Sequence, residues 1–166
     1  MAAAVSVDDR IQRLYGQAEA QAESVFNATI PINRYFRSLP SMSAMGDLKT
    51  KERQFEHAYL IQVKMCILFL KYLKTHPDYA QFKSTNGAEI AKARTLCNSA
   101  LKTAEIVKQQ LRRVYAAEAE TARIQAEREE HERQVWSFLE VLRNSAIYRH
   151  KKWRLKCGSL KQSAVN

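Results

Sequence analysis

The residue types that could hold a metal or attack a substrate are few in this chain of 166 residues: four histidines and three cysteines. His57, His76, His131 and His150 stand far apart, with no partner at ligand spacing, whereas catalytic zinc needs three protein ligands and an open position for water. Cys66, Cys97 and Cys157 are odd in number and widely spaced. Two of them fall on apolar helix faces, where a free thiol behaves as a small hydrophobe, so neither a disulfide framework nor a zinc site follows. With only 4 glycines there is little room for a nucleophile elbow or a phosphate-cradling loop, and no CxxC pair occurs. No catalytic, cofactor or metal residue is therefore assigned. What remains is binding chemistry: Lys64 and Lys71 with Leu60 and Ile67 beside them, and a tail, RNSAIYRHKKWRLKCGSLKQSAVN, in which Tyr148 and Trp153 interleave with lysine and arginine.

These residues need elements to carry them, and the sequence is rich in helical signals. Only 4 Gly and 3 Pro with 46% hydrophobic residues argue for long helices, since sheets need frequent turn residues. Ser6 and Asp9 resemble a capping box, after which Ile11, Leu14, Tyr15, Ala18, Ala22 and Val25 recur at helical spacing. Asn27 to Thr29 is turn-prone, and it also forms a glycosylation triplet, which needs a secretion route that the N-terminus does not signal. Pro31 suits the start of a second helix. Within it Pro40 either kinks the segment or marks a restart after Ser38, leaving Met42, Met45 and Leu48 to pack, and Gly46 weakens it by about 1 kcal/mol relative to Ala.

Between Gln54 and Lys74 one apolar stripe runs through Phe55, Tyr59, Val63, Cys66, Leu70 and Leu73, and a second through Ile61, Met65, Leu68 and Tyr72. Two stripes require two helical neighbours, which makes this the middle helix of a bundle. Its solvent strip carries Arg53, His57, Lys64 and Lys71, with Leu60 and Ile67 along the edge. Thr75-His76-Pro77-Asp78 supplies a stop, and Ser84 to Gly87 reads as a loop. A long helix follows, with a seam of Ile90, Ala93, Cys97, Ala100, Ala104, Val107, Leu111 and Val114. At Glu118 the seam fails. From there to Arg133 the helix is charged all round and is expected to project as a solvated or coiled-coil segment, before Val135 to Leu142 (VWSFLEVL) turns apolar again, a sign of oligomerisation or of a broken connection to a longer parent sequence.

The net charge of +10 is unevenly placed. Arg143 to Asn166 contains seven basic and no acidic residues, Ala116 to Leu142 three basic and seven acidic, and Met1 to Tyr115 seventeen basic and ten acidic. A mildly basic folded part gives nucleic acid little to recognise, while the tail could approach anionic membrane, at about 1 kcal/mol per basic residue near the surface, bind RNA through charge and stacking, or stay disordered. The N-terminus lacks a signal-peptide pattern, and the longest apolar run, Met65 to Leu70, is too short to cross a bilayer, so a cytoplasmic protein is expected.

Arg34 to Ser38 (RYFRS), a spacer, then FEHAYLI and FLKYLKTHPDY resemble the N-terminal domain of AMSH-type endosomal deubiquitinases, shared in diverged form with ubiquitin-specific protease 8. The resemblance continues into Ala104, Glu105, Lys108, Leu111 and Tyr115. It implies an MIT-like (microtubule-interacting and trafficking) helical domain that docks onto ESCRT-III, the membrane-remodelling polymer of endosomes. ESCRT-III subunits present C-terminal amphipathic helices with leucines and acidic residues. On this reading Ala93, Ala100 and Ala104 leave hollows for leucines, Lys64 and Lys71 beside Leu60 and Ile67 meet acids and apolar groups, and Glu105 pairs with an arginine. The bland alternative is that the alanines allow close packing and the lysines are solvated. The family's zinc signature, H-x-H-P-x4-F-x-S-x-x-D, is matched in spacing by Lys74 to Gly87, but Lys74 replaces the first ligand and Gly87 the Asp.

The expectation is an all-α protein: an antiparallel bundle with an MIT-like three-helix core, an extra N-terminal helix and a long C-terminal helical extension. It divides into an MIT-like domain over 8–115, a charged extension over 116–142 and a basic tail over 143–166. Its expected role is a non-catalytic adaptor recruited to endosomes by ESCRT-III helices, with a homodimer and peripheral membrane contact as further partners and with no cofactor. The alternatives are the N-terminal part of a zinc deubiquitinase specific for one lysine linkage, or a basic helical membrane- or RNA-binding protein.

Overall fold

A computed structural model describes residues 6–162, with side chains described for residues 6–155. Among them the structure is all-α. In chain order, α1 spans Val7–Val25, α2 Ile32–Lys51 and α3 Phe55–Ile67; α3 runs on through a π-turn, Leu68–Tyr72, and a 3-10 turn, Leu73–Thr75. A short α4 covers Tyr79–Thr85, and α5 covers Gly87–Gln162. The chain separates into a first unit ending at Ala117 and a second beginning at Glu118.

In the first unit α3 packs against α1 and α2, the two neighbours its stripes call for, and against α5 as a third. Ser6 caps α1 by accepting the Asp9 amide at 3.0 Å, which satisfies one of the amides that a helix start leaves unpaired. Two apolar clusters form the core. One joins Tyr35, Phe36 and Leu39 of α2 to Met65, Leu68 and Phe69 and to Ile90 and Cys97 of α5. The other joins Ile11, Leu14 and Ala18 of α1 to Tyr59 and Val63 of α3 and to Val107, Leu111 and Tyr115 of α5. Each large apolar side chain so buried contributes about 1.5–3 kcal/mol.

Three expectations about register are corrected. α2 continues unbroken through Pro40, so its inward positions count on from Leu39 to Ser43 and Gly46, and Met45 and Leu48 are exposed instead of packed. Leu70, placed in the buried stripe by an α-helical count, is exposed because the π-turn adds a residue to that turn and hands the interior to Phe69 and Leu73. Val114 is likewise exposed, and Tyr115, four residues past Leu111, closes the seam in its place. The segment read as a loop at Ser84 begins inside α4, whose helix reaches Thr85.

In the second unit the described residues 118–162 are helical, and every side chain described there is exposed. Its acids and arginines pair along the helix, Arg123 with Glu120 and Glu127, and Arg133 with Glu130. No helix among the described residues is long and apolar enough to cross a membrane.

Candidate functional site

The residues that look most like chemistry turn out to fasten the fold. His76 is 3% exposed. Its Nε2 lies 2.9 Å from the Ile30 carbonyl oxygen and its Nδ1 3.1 Å from the Asp78 amide. The amide can only donate to Nδ1, so Nε2 carries the proton and donates to Ile30. Both ring nitrogens are consumed in holding the end of the α3 segment, just past its 3-10 turn, against the α1–α2 turn, and neither is left for a metal. Phe26 and Tyr35 stand edge-on to the ring at 6.2 and 6.4 Å. The Tyr35 hydroxyl accepts from the Asn27 amide at 2.7 Å and lies 3.0 Å from the Asn27 carbonyl, pinning the same turn. Phe36 stacks on Phe82 at 4.5 Å, so the RYF block works as an internal rivet. Among the described residues no group of three His, Cys, Asp or Glu side chains could hold a metal ion.

The thiols are equally inward. Cys66 Sγ donates to the Cys97 carbonyl at 3.6 Å, and hydrogen bonding with Cys97, then burial, pushes its pKa up. A thiol held protonated is a poor nucleophile.

A surface groove of about 350 Å³ opens where α1, α3 and α5 meet. α3 supplies the floor through Val63, Ile67 and Leu70; Leu101 and Ala104 of α5 form one apolar wall, and Tyr15 of α1 the other. Charged groups edge it. At one end Lys71 Nζ sits 2.7 Å from Glu19 Oε1, which ties α3 to α1 and raises the lysine pKa; along α5, Lys108 Nζ is 3.8 Å from Glu105. Both pairs are solvent-facing and contribute little to stability, because two exposed ions gain little by meeting. They are therefore open to exchange with charges brought by a partner. The Tyr59 phenol faces the groove with its pKa raised, first by burial and then by the negative charge of Glu105 and by Tyr15, while Arg112 works in the opposite sense.

Of the seven residues put forward from the sequence, the groove gathers Ile67, Lys71, Ala104 and Glu105. The other three lie elsewhere. Ala100 is 1% exposed inside the α2–α3–α5 cluster, Leu60 packs partly buried against the α1-side cluster, and Lys64 is half-buried without lining the groove. Sequence reasoning missed Tyr15, Glu19, Leu101 and Lys108. Lys108 was among the residues of the family resemblance, and Leu101 stands one position off the α5 seam, where a single-stripe reading assigns solvent. The α-helical count sets Leu70 in the core, and the π-turn brings it out to the groove floor beside Lys71. A separate apolar hollow lies between α2 and α5, edged by Leu39, Pro40, Ala93 and Leu96, and carries one pair of opposite charge, Lys92 and Glu89 at 3.2 Å.

Comparison with known families matches residues 5–118 to the one described as the USP8 dimerisation domain. The chain is 32% identical over 124 residues to the STAM-binding protein of Rattus norvegicus, an alignment covering 75% of this chain and 28% of that protein. It is 31% identical over 124 residues, with the same coverage, to the STAM-binding protein of Mus musculus. The chain thus spans only about a quarter of the length of these relatives.

Proposed function

The chain belongs to the USP8 dimerisation domain family, and from this we propose that its first unit is a non-catalytic docking module that takes the C-terminal amphipathic helix of an ESCRT-III subunit into the α1–α3–α5 groove. The observation that carries the reading is the groove's composition. Its floor sets apolar Val63, Ile67 and Leu70 about one helical turn apart, the spacing of successive leucines on one helix face, and charges of both signs lie on its edges. A helix laid in such a groove buries its apolar stripe and sets the flanking acids toward Lys71 and Lys108 and a basic residue toward Glu105. Glu105 and Lys108, two residues that carry the family resemblance, lie on this rim, beside Ala104 in the wall. The role would be an endosomal address, recruiting whatever it is attached to or assembled with to sites of ESCRT-III polymerisation.

Titration of synthetic ESCRT-III C-terminal helices against the full chain, followed by calorimetry, tests this. Saturable binding is expected, weakened tenfold or more by Leu101→Asp, a loss of about 1.4 kcal/mol or greater, with the helical circular dichroism unchanged. Absence of saturable binding for every ESCRT-III tail, or binding that Leu101→Asp and Leu70→Asp leave intact, sinks the proposal. Cleavage of lysine-linked diubiquitin by the purified chain would favour the enzyme reading instead.

A further inference from the structure

The second unit carries its own pattern, which runs on from Glu118, the last residue of the family match. Along one helix, Glu118 to Glu132 holds six acids and two arginines, Val135 to Leu142 is the apolar centre, and Arg143 to Arg154 holds five basic residues and no acid. The centre is open: Val135, Leu139 and Leu142 are 42%, 47% and 46% exposed, and Trp136 beside them is 71% exposed. Contiguous apolar surface of this kind needs a cover. The flanks are also unsatisfied. Glu132, Arg149, Lys151, Lys152 and Arg154 make no ion pair among the described residues, although Arg123 with Glu127, Arg133 with Glu130 and Arg143 with Glu140 pair along the helix.

We propose that this helix pairs with the same helix of a second copy, antiparallel, about a two-fold axis through the apolar centre. Order along the chain decides the direction. An acid–apolar–basic sequence laid parallel on itself sets acid against acid and base against base, and laid antiparallel it becomes self-complementary, as a two-fold interface must be. The heptad spacing fixes a register. Val135, Leu139, Leu142 and Ala146 alternate four and three apart on one face, as a two-helix seam requires. Setting Leu139 against Leu142 of the second copy places Val135 against Ala146. One further step places Glu132 against Arg149, and the next Arg128 against the Trp153 ring, a cation over an aromatic face. Glu129 and Glu130 come level with Lys152 and Lys151. Each contact occurs twice. Anionic membrane would use only the basic third and leave the acidic third without a role, which is why a second copy is the better occupant.

Cross-linking of the full chain tests the pairing. Two variants, Glu132→Cys and Arg149→Cys, each in a Cys157→Ser background, are oxidised alone and mixed. Cross-linked dimers are expected only in the mixture, with a yield that falls severalfold when salt rises from about 0.1 to about 1 M, where the screening length shrinks from about 10 to about 3 Å. Cross-links formed by either variant alone would make the pairing parallel and overturn the proposal. So would no cross-link in any sample, or cross-links no more frequent than those of an Ala117→Cys control; capture by anionic vesicles under those same conditions would give the surface to lipid. The readout reports only on the second unit, so self-association elsewhere in the chain leaves it unaffected.

Discussion

Tyr59 offers the most direct measurement of a single group in the groove. Its folded pKa lies above the ordinary tyrosine range because burial and the Glu105 carboxylate both oppose the phenolate. A group raised in the folded state favours folding wherever it is protonated in both states. That contribution is whole below the unfolded value of about 10 and is lost as pH climbs through the folded value. Glu105→Gln should lower the Tyr59 pKa toward the ordinary value, and a bound helix should raise it further by deepening burial; carbon-13 ring resonances of Tyr59 against pH check both. His76 supplies a stability test. His76→Ala orphans the Ile30 carbonyl and empties a site between Phe26 and Tyr35, and should cost about 2–4 kcal/mol, read as a lowered urea midpoint, while zinc leaves the wild-type midpoint unmoved. The sequence showed that a lone histidine lacks co-ligands. Its true partner was out of sight because Ile30 is 46 residues away along the chain, beyond the reach of any spacing rule.

Helix α2 shows where reading by element succeeds and where it fails. Its span was legible from Pro31 and the apolar spacing, but the effect of Pro40 was not, because a proline inside a helix is tolerated or disruptive according to what packs around it. With the helix continuous, Gly46 faces α3, and Gln62, 0% exposed, fills the space a side chain would take. A Cβ on Gly46 would lie 2.5 Å from Gln62 Nε2, which donates to Asp47 at 3.0 Å. Buried on every side, Gln62 has nowhere to swing. Gly46→Ala should therefore destabilise by about 1–3 kcal/mol, reversing the gain of about 1 kcal/mol expected from helix propensity alone. The double variant Gly46→Ala with Gln62→Ala should be less damaged than the sum of the singles; thermal melts of the three proteins decide it. A composition argument sees the glycine only as a weak helix former.

At the scale of the molecule, the bundle was legible because stripes report how many neighbours a helix has, and the groove was only half legible because they do not report which helices those neighbours are. The floor and the α5 wall could be anticipated from Ile67, Lys71, Ala104 and Glu105. The α1 wall, Tyr15 and Glu19, emerges only when α1 is seen against α3. Since the groove lies wholly within the first unit, exchanging Lys151 and Lys152 for glutamate should leave the affinity for ESCRT-III tails unchanged, which calorimetry on that variant measures directly. The π-turn also sets how this chain can vary. Each residue added to or removed from a helix rotates everything beyond it by about 100°, and the extra residue at Leu68–Tyr72 is what turns Leu70 outward beside Lys71 while His76 still meets Ile30. Between Val63 and His76 the chain is consequently of fixed length: exposed positions such as Lys74 and Thr75 are open to substitution, whereas a single deletion would misalign the docking surface and the fastening at once.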